Sequence, residues 1–317
     1  MPKQIPVYLF VGQLESGKTK FIQETMEDPN FDSGDKTLLL VCEEGEVEYD
    51  PSKFAFGGVH VAQIEDKSEL TQENLTALEK KSGCGRVIIE YNGMWKLDKI
   101  FEIRVPKGWT VVQVISFVNA ETYDVYSQNM KATMVEQFNS ADMVIFNRCD
   151  ENSKIPEWRR SIKAVNRRAQ IIFEMKDGSI APETNEPEDL PYDVSADVIE
   201  LPDDDFGIWY VDASDMKERY DGKKIHFKAM VFRPKQYGSN AFVPGRFAMT
   251  CCVEDIQFVG FKCYYQGAKN LVDRQWVDVT AKIGYEYYPD FEGEGPVLTA
   301  EKVTLTSAPD EEVVYFS

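Results

Sequence analysis

The chain has 317 residues, with 35 Lys or Arg against 54 Asp or Glu and a formal net charge of −19. Its 43% apolar share is enough to bury one or two cores, so disorder along the whole length is excluded. The acidic balance argues against nucleic acid and anionic membranes as partners, since both need clustered Lys and Arg.

No apolar run approaches the roughly 18 residues that span a bilayer, so no membrane-spanning segment is expected. The N-terminus carries no secretory pattern. The six cysteines (42, 84, 149, 251, 252 and 263) are scattered, with one adjacent pair. That usage fits reduced thiols and predicts a cytoplasmic location.

Residues 1–173 alternate between two patterns. Apolar runs of strand length are predicted at 6–11, 37–42, 86–91, 110–118, 142–146 and 170–173. Helical stretches are predicted at 18–27, 69–82, 122–139 and 155–167. Continuous apolar strands separated by helices predict an α/β domain: a mostly parallel sheet with helices on both faces. Residues 174–205 hold 12 acidic residues, one basic residue and four prolines. Self-repelling charge and proline predict an extended linker there. Residues 206–317 read as short Val-, Thr- and aromatic-rich strands, IWYVDA among them, with no long helix. A small all-β, antiparallel C-terminal domain is expected, with a barrel as one form.

Four segments carry chemistry. Gly12-Gln-Leu-Glu-Ser-Gly17-Lys18-Thr19 matches G-x-x-x-x-G-K-[ST] between a strand and a helix, the context a P-loop requires. In this reading Gly12, Glu15, Ser16, Gly17 and Lys18 cradle phosphates, and Thr19 coordinates Mg²⁺. Asn147-Arg148-Cys149-Asp150 follows a strand, where parallel sheets bind ligands. A carboxylate at Asp150 can accept from guanine N1–H and the 2-amino group, neither of which adenine offers, so GTP is favoured over ATP and a kinase is disfavoured. Asn147 can tie this loop to the P-loop, and the Arg148 stem can lie on the base. Glu90, ending the run Val87-Ile-Ile-Glu90, can hold Mg²⁺ or orient the attacking water, and Gly93 can bring a backbone N–H to the γ-phosphate. Finally, Cys42-Glu43-Glu44-Gly45-Glu46-Val-Glu48-Tyr-Asp50 is either an acidic solvated loop or a metal-sensitive switch, with Cys42, Glu43 and Glu46 as ligands for Mg²⁺ or Zn²⁺.

In order and spacing these four elements resemble the CobW/HypB/UreG group of P-loop GTPases, in particular the CobW-like metallochaperone branch. Phe117-Val-Asn-Ala-Glu-Thr-Tyr and Gln137-Phe-Asn-Ser-Ala-Asp142 add smaller likenesses. The resemblance covers about residues 5–173. It implies slow GTP hydrolysis with Mg²⁺, and a client metalloprotein or metal-trafficking partner. The family's C-x-C-C metal motif should fall between Asp50 and Glu90, where this chain has only Cys84. Its base-loop Lys is Arg148 here, and the Asn of its acidic segment is Cys42.

Residues 206–317 resemble a C-terminal β domain of YcgQ-type proteins. The likeness rests on Tyr220-Asp-Gly-Lys-Lys, on Phe242-Val-Pro-Gly-Arg-Phe-Ala-Met-Thr-Cys251-Cys252 and on Trp276-Val-Asp-Val. Cys251 and Cys252, with Cys263 and His226, make either a Zn²⁺ or Cu⁺ site or small core residues. Adjacent strand residues point to opposite faces, which favours the core.

Two functions follow. One is a GTP-hydrolysing factor of metal homeostasis, a chaperone for zinc or another transition metal. The other is a nucleotide-dependent regulatory module whose β domain docks a partner without metal transfer. The sequence leaves the oligomeric state open.

Overall fold

The computed structural model describes residues 4–97, 105–182, 190–250, 256–288 and 293–316. The chain divides into two compact units, Met1–Ile155 with Arg168–Pro182, and Pro156–Arg167 with Glu183–Ser317.

The first unit holds a seven-stranded sheet in the order β3-β2-β4-β1-β5-β6-β7. Its strands are β1 (Ile5–Gly12), β2 (Thr37–Val41), β3 (Val59–Gln63), β4 (Arg86–Glu90), β5 (Trp109–Asn119), β6 (Met143–Cys149) and β7 (Gln170–Met175). Every pairing among them is parallel. All five residues of β2 and of β4 are buried, which is why both read as unbroken apolar runs. The expected mostly parallel α/β sheet is therefore present. β3 escaped the sequence reading because it is half-buried, with a polar His60 inside it.

Helices α1 (Lys18–Glu27), α2 (Gln72–Ser82), α3 (Tyr123–Asn129) and α4 (Lys131–Ser140) belong to this unit. The stretch expected as one helix over 122–139 is two, because Met130 leaves the helical region at φ −132° and ψ 30°. Helix α5 (Ile155–Val165) falls from Pro156 onward in the second unit, not in the first as the sequence suggested. There Ala164 lies against the core, and the Arg167 guanidinium sits 4.6 Å from the Tyr210 ring centre.

The second unit contains an eight-stranded sheet: β8 (Val198–Glu200), β9 (Lys224–Phe232), β10 (Ala241–Ala248), β11 (Gln257–Gly260), β12 (Cys263–Tyr264), β13 (Trp276–Tyr288), β14 (Gly293–Leu305) and β15 (Val313–Val314). β10 pairs with β12 through Ala241 and Phe242 and with β9 through Val243–Gly245, so β9, β10, β12, β14 and β13 close into a ring. The sheet is not purely antiparallel: β8 with β9, β12 with β14 and β10 with β15 run parallel.

Two expectations change here. The run IWYVDA lies in a helix, α6 (Phe206–Asp215), followed by the short α7 (Lys217–Tyr220). Phe206, Trp209, Val211, Asp212 and Ala213 of α6 are all buried, so the helix shows no polar face to reveal its period. The segment expected as a linker also contributes structure. Tyr192, Val194, Ile199 and Leu201 join the C-terminal core, and β8 lies beside β9. Residues 183–189 of that segment lie outside the described residues.

Trp209 is fully buried and makes edge contacts with Phe206 and Phe261 at 5.3 and 5.2 Å between ring centres. Trp209→Ala is expected to cost about 3–5 kcal/mol by emptying that volume. Urea unfolding followed by circular dichroism reads the loss, and a change below about 1 kcal/mol would contradict this packing role.

Candidate nucleotide site

Sheet order places the site. From β1 the chain moves out to β2 and β3, returns through β4 beside β1, then continues on the other side to β5, β6 and β7. Ligands bind outside the carboxyl ends of strands at such a reversal. Register brings Glu90 beside Phe10 and Val41, Phe117 beside Gly12, and Asn147 beside Asn119. All the strand-end residues singled out in the first unit therefore reach one edge.

The P-loop runs from the end of β1 into α1. Gly12 has φ +138°, and a Cβ there would meet the Phe117 carbonyl oxygen at 2.3 Å. Gly17 caps α1 with φ +99°, and a Cβ there would meet Asn147 Nδ2 at 2.4 Å. Both positions need glycine for backbone conformation and for close approach. Glu15 also adopts positive φ, 59°. The N-terminal turn of the ten-residue α1 carries no acidic residue and no side-chain cap, so its N–H groups are free for an anion. Ser16 is buried with no partner for its hydroxyl, as is the Gln13 amide nitrogen. Orphan donors at this place fit a phosphate acceptor.

Lys18 is 2% exposed. Its ammonium donates to the carbonyls of Gly12 (2.8 Å) and Gln13 (3.0 Å) and to Glu43 Oε2 (2.6 Å). The second Glu43 oxygen accepts from the Gly93 N–H at 3.0 Å. A Cβ on Gly93 would lie 2.4 Å from the Gly12 carbonyl, so this glycine is pressed onto the P-loop. Gln137 holds it from the other side by donating to its carbonyl at 3.2 Å.

Thr19 donates to Glu90 Oε1 at 2.6 Å, and the Tyr49 hydroxyl donates to Glu90 Oε2 at 2.5 Å. Glu90 is 2% exposed, and burial pushes its carboxyl up, against the pull of the two hydroxyls and the Lys18 charge. A buried carboxylate beside a P-loop hydroxyl is an oxygen donor pair of the kind Mg²⁺ takes. Thr19 and Glu90 therefore fit the expected ion.

The base loop is bound to the P-loop. Asn147 Nδ2 donates to the Ser16 carbonyl at 2.7 Å, and Arg148 reaches the Glu15 carbonyl at 3.3 Å. Arg148, next to last in β6, holds φ 57° where the pairing with β7 shifts register between Phe146 and Cys149. Asp150 Oδ1 accepts from the Asn152 N–H at 3.0 Å, and Oδ2 accepts from Lys176 at 2.8 Å. Lys176 also pairs with Glu121 at 3.0 Å. These bonds, the one from Lys176 foremost, hold the Asp150 carboxyl below its usual range. The Ser153 hydroxyl is a third, longer donor to Oδ1 at 3.5 Å, so of a carboxylate's roughly four acceptor positions one is left open for a base.

Among the described residues the proposed transition-metal ligands are not brought together. Cys42 is 3% exposed and packs in the core with Ile64 and Tyr91. Burial, then the charges of Glu90 and Glu43, push its thiol up to about 12. Glu43 is committed to Lys18 and Gly93, and Glu46 offers its backbone N–H to Glu15 Oε1 at 2.9 Å. In the second unit His226 pairs with Glu200 at 2.7 Å, and Cys263 is buried with its thiol pushed up to about 12. Cys251 and Cys252 lie outside the described residues. Among the described residues no three His, Cys, Asp or Glu side chains form a group that could hold a metal ion.

Buried and with its thiol pushed up, Cys42 is held in the unreactive protonated form near neutral pH. Iodoacetamide is expected to leave Cys42 unlabelled in the native protein and to label it in urea, read by peptide mass spectrometry. Native labelling at the rate of the unfolded chain would refute its burial.

Three site residues were missed by sequence reasoning. Tyr49 lay inside the acidic segment, but its hydroxyl contact with Glu90 spans 41 positions. Gln137 lay in a quoted motif without a role. Lys176 fell in the stretch read as linker.

Residues 6–173 match the nucleotide-binding domain of the CobW/HypB/UreG family. The chain belongs to that family. Residues 179–316 match the DUF1980 C-terminal domain. No curated protein matches the chain significantly. Solved structures similar to this CobW/HypB/UreG member include the hydrogenase maturation factor HypB from Archaeoglobus fulgidus. It is 20% identical, with 56% of this chain and 84% of that one covered and a TM-score of 0.40. The Zn(II)-bound YjiA GTPase from E. coli is 17% identical over 72% of this chain and 74% of that one, with a TM-score of 0.41. A Zn(II)-bound triple mutant of YjiA GTPase is 19% identical at the same coverages, with a TM-score of 0.44. Among the described residues no helix is long and apolar enough to cross a membrane.

Proposed function

We propose that this CobW/HypB/UreG protein binds GTP with Mg²⁺ and hydrolyses it slowly, as a factor of metal homeostasis. The observation that carries the reading is the bond from Asn147 to the Ser16 carbonyl, which joins a base-reading loop to a phosphate-binding loop. Gly12, Glu15, Ser16 and Gly17 then cradle phosphates, with Lys18 on the β- and γ-oxygens. Thr19 and Glu90 would hold Mg²⁺, which supplies neutralisation of charge on the phosphates when bound. Gly93 presents its N–H toward the terminal phosphate, and Glu90 is the residue placed to orient water. Asp150 selects guanine, and Arg148 covers the base. Catalysis is positioning and electrostatic stabilisation, slow until a partner completes the site.

A second reading, a GTP-dependent docking module with no metal transfer, is favoured by one sequence fact. Between Asp50 and Glu90 the chain has a single cysteine in place of C-x-C-C. Titrating the metal-stripped protein with a fluorescent GTP analogue and Mg²⁺, with and without Zn²⁺, separates the two. Zn²⁺ that shifts nucleotide affinity supports the metal factor, because coupled sites share free energy. Indifference to Zn²⁺ supports the docking module, and absence of GTP binding refutes both.

A further inference from the structure

Lys18 and Gly93 are the two groups assigned above to the terminal phosphate, and neither has a donor to spare. An ammonium carries three N–H bonds, and those of Lys18 go to Gly12, Gln13 and Glu43. The one backbone N–H of Gly93 goes to the other oxygen of the same carboxylate. The Glu43 carboxylate thus bridges both donors, in a pair whose side chains are 2% and 8% exposed. The segment it begins is also fastened further along. Glu46 is tied to Glu15, and Tyr49 caps the Glu90 oxygen that Thr19 leaves open. Asp50 and Gln23 exchange two hydrogen bonds, at 3.0 and 3.2 Å.

We propose that Glu43 is an internal competitor for the γ-phosphate: its carboxylate occupies the Lys18 ammonium and the Gly93 N–H until a nucleoside triphosphate displaces it. Two anions sharing one ammonium and one N–H repel each other, so the two states exclude one another. A diphosphate has no third phosphate to press the claim, so GDP leaves the 43–50 segment closed and GTP releases it. Tyr49 extends the same logic to the ion, because its hydroxyl competes with Mg²⁺ for the Glu90 carboxylate. The segment therefore reports the presence of the γ-phosphate. This inference rests on the reading of the site as one for GTP and Mg²⁺.

The test is binding of GDP and of a non-hydrolysable GTP analogue, with Mg²⁺, to the full chain and to Glu43→Gln. The amide keeps the shape and removes the charge. Analogue affinity is expected to rise about tenfold in the variant, with GDP affinity changed less than about twofold. An unchanged ratio of the two affinities, or weaker analogue binding, would overturn the competitor role and leave the GTP site standing. Binding of the triphosphate by the variant alone would support the role. Failure of both proteins to bind either nucleotide would remove the site reading and this inference together.

Hydrogen exchange on the unaltered chain gives an independent check if the variant folds poorly. Exchange over residues 43–50 is expected to differ between the GTP analogue and GDP. Identical exchange in the two complexes would overturn the proposal.

Discussion

Lys18→Ala is expected to weaken GTP binding by about 100-fold and to lower turnover by at least as much. The side chain is a buried cation among the groups proposed for phosphate, and its neighbours are carbonyl oxygens and a carboxylate. A charge-assisted bond to phosphate contributes roughly 2–3 kcal/mol, and this group would make bonds to two phosphates. The substitution also strips the Glu43 carboxylate of its partner, a loss of about 3 kcal/mol where both charges stay buried. Glu43 retains the Gly93 N–H and lies at the rim, so the measured cost should fall below that. Isothermal titration separates the affinity change from the shift in thermal midpoint. Affinity within about threefold of the unaltered chain would remove Lys18 from the phosphate site.

Asp150→Asn is expected to exchange base preference, with GTP weakened about 100-fold and xanthosine triphosphate bound more tightly than GTP. Guanine offers N1–H and a 2-amino group to the carboxylate. Xanthine carries a carbonyl at that second position, which an amide can meet by donating. The effect falls on specificity and hardly on stability, because the Lys176–Asp150 pair is about half exposed, at 48% and 38%. Competition against a labelled GTP analogue reads both nucleotides in one experiment. An unchanged preference would show that Asp150 does not touch the base, and the site would then discriminate through Arg148 or backbone groups.

Much of the site was legible because its residues announce themselves locally. The P-loop spans eight consecutive residues, with glycines at Gly12 and Gly17 whose positive φ and close contacts admit no side chain. Asn147 to Asp150 and Glu90 to Gly93 are likewise short strand-end segments. What the sequence could not convey is which of them meet. The partners of Glu43 lie 25 positions before it and 50 after it, and the bond from Asn147 to Ser16 crosses 131 positions. Cys42 and Glu43 are adjacent, yet one faces the core and the other the phosphate loop, because neighbours at a strand end project oppositely. Their adjacency therefore suggested a shared metal ion that their directions do not serve.

The C-terminal unit shows the same division. Its long strands β9, β13 and β14 were readable from alternating Val, Thr and aromatic residues. Helix α6 was not, because burial on every side removes the polar face that gives a helix its period. Nor was the packing of Tyr192, Val194 and Ile199, since apolar residues scattered through an acidic, Pro-rich stretch carry no periodic signal.

By itself, then, the sequence determined the parallel sheet of the first unit and the family, and it singled out the strand-end segments proposed here for the nucleotide, all of which depend on short-range pattern and on glycine's freedom. Only the tertiary structure decided that Glu43 and Tyr49 close over Lys18, Gly93 and Glu90, because that closure is a set of hydrogen bonds between strand ends that register and crossover order bring to one edge.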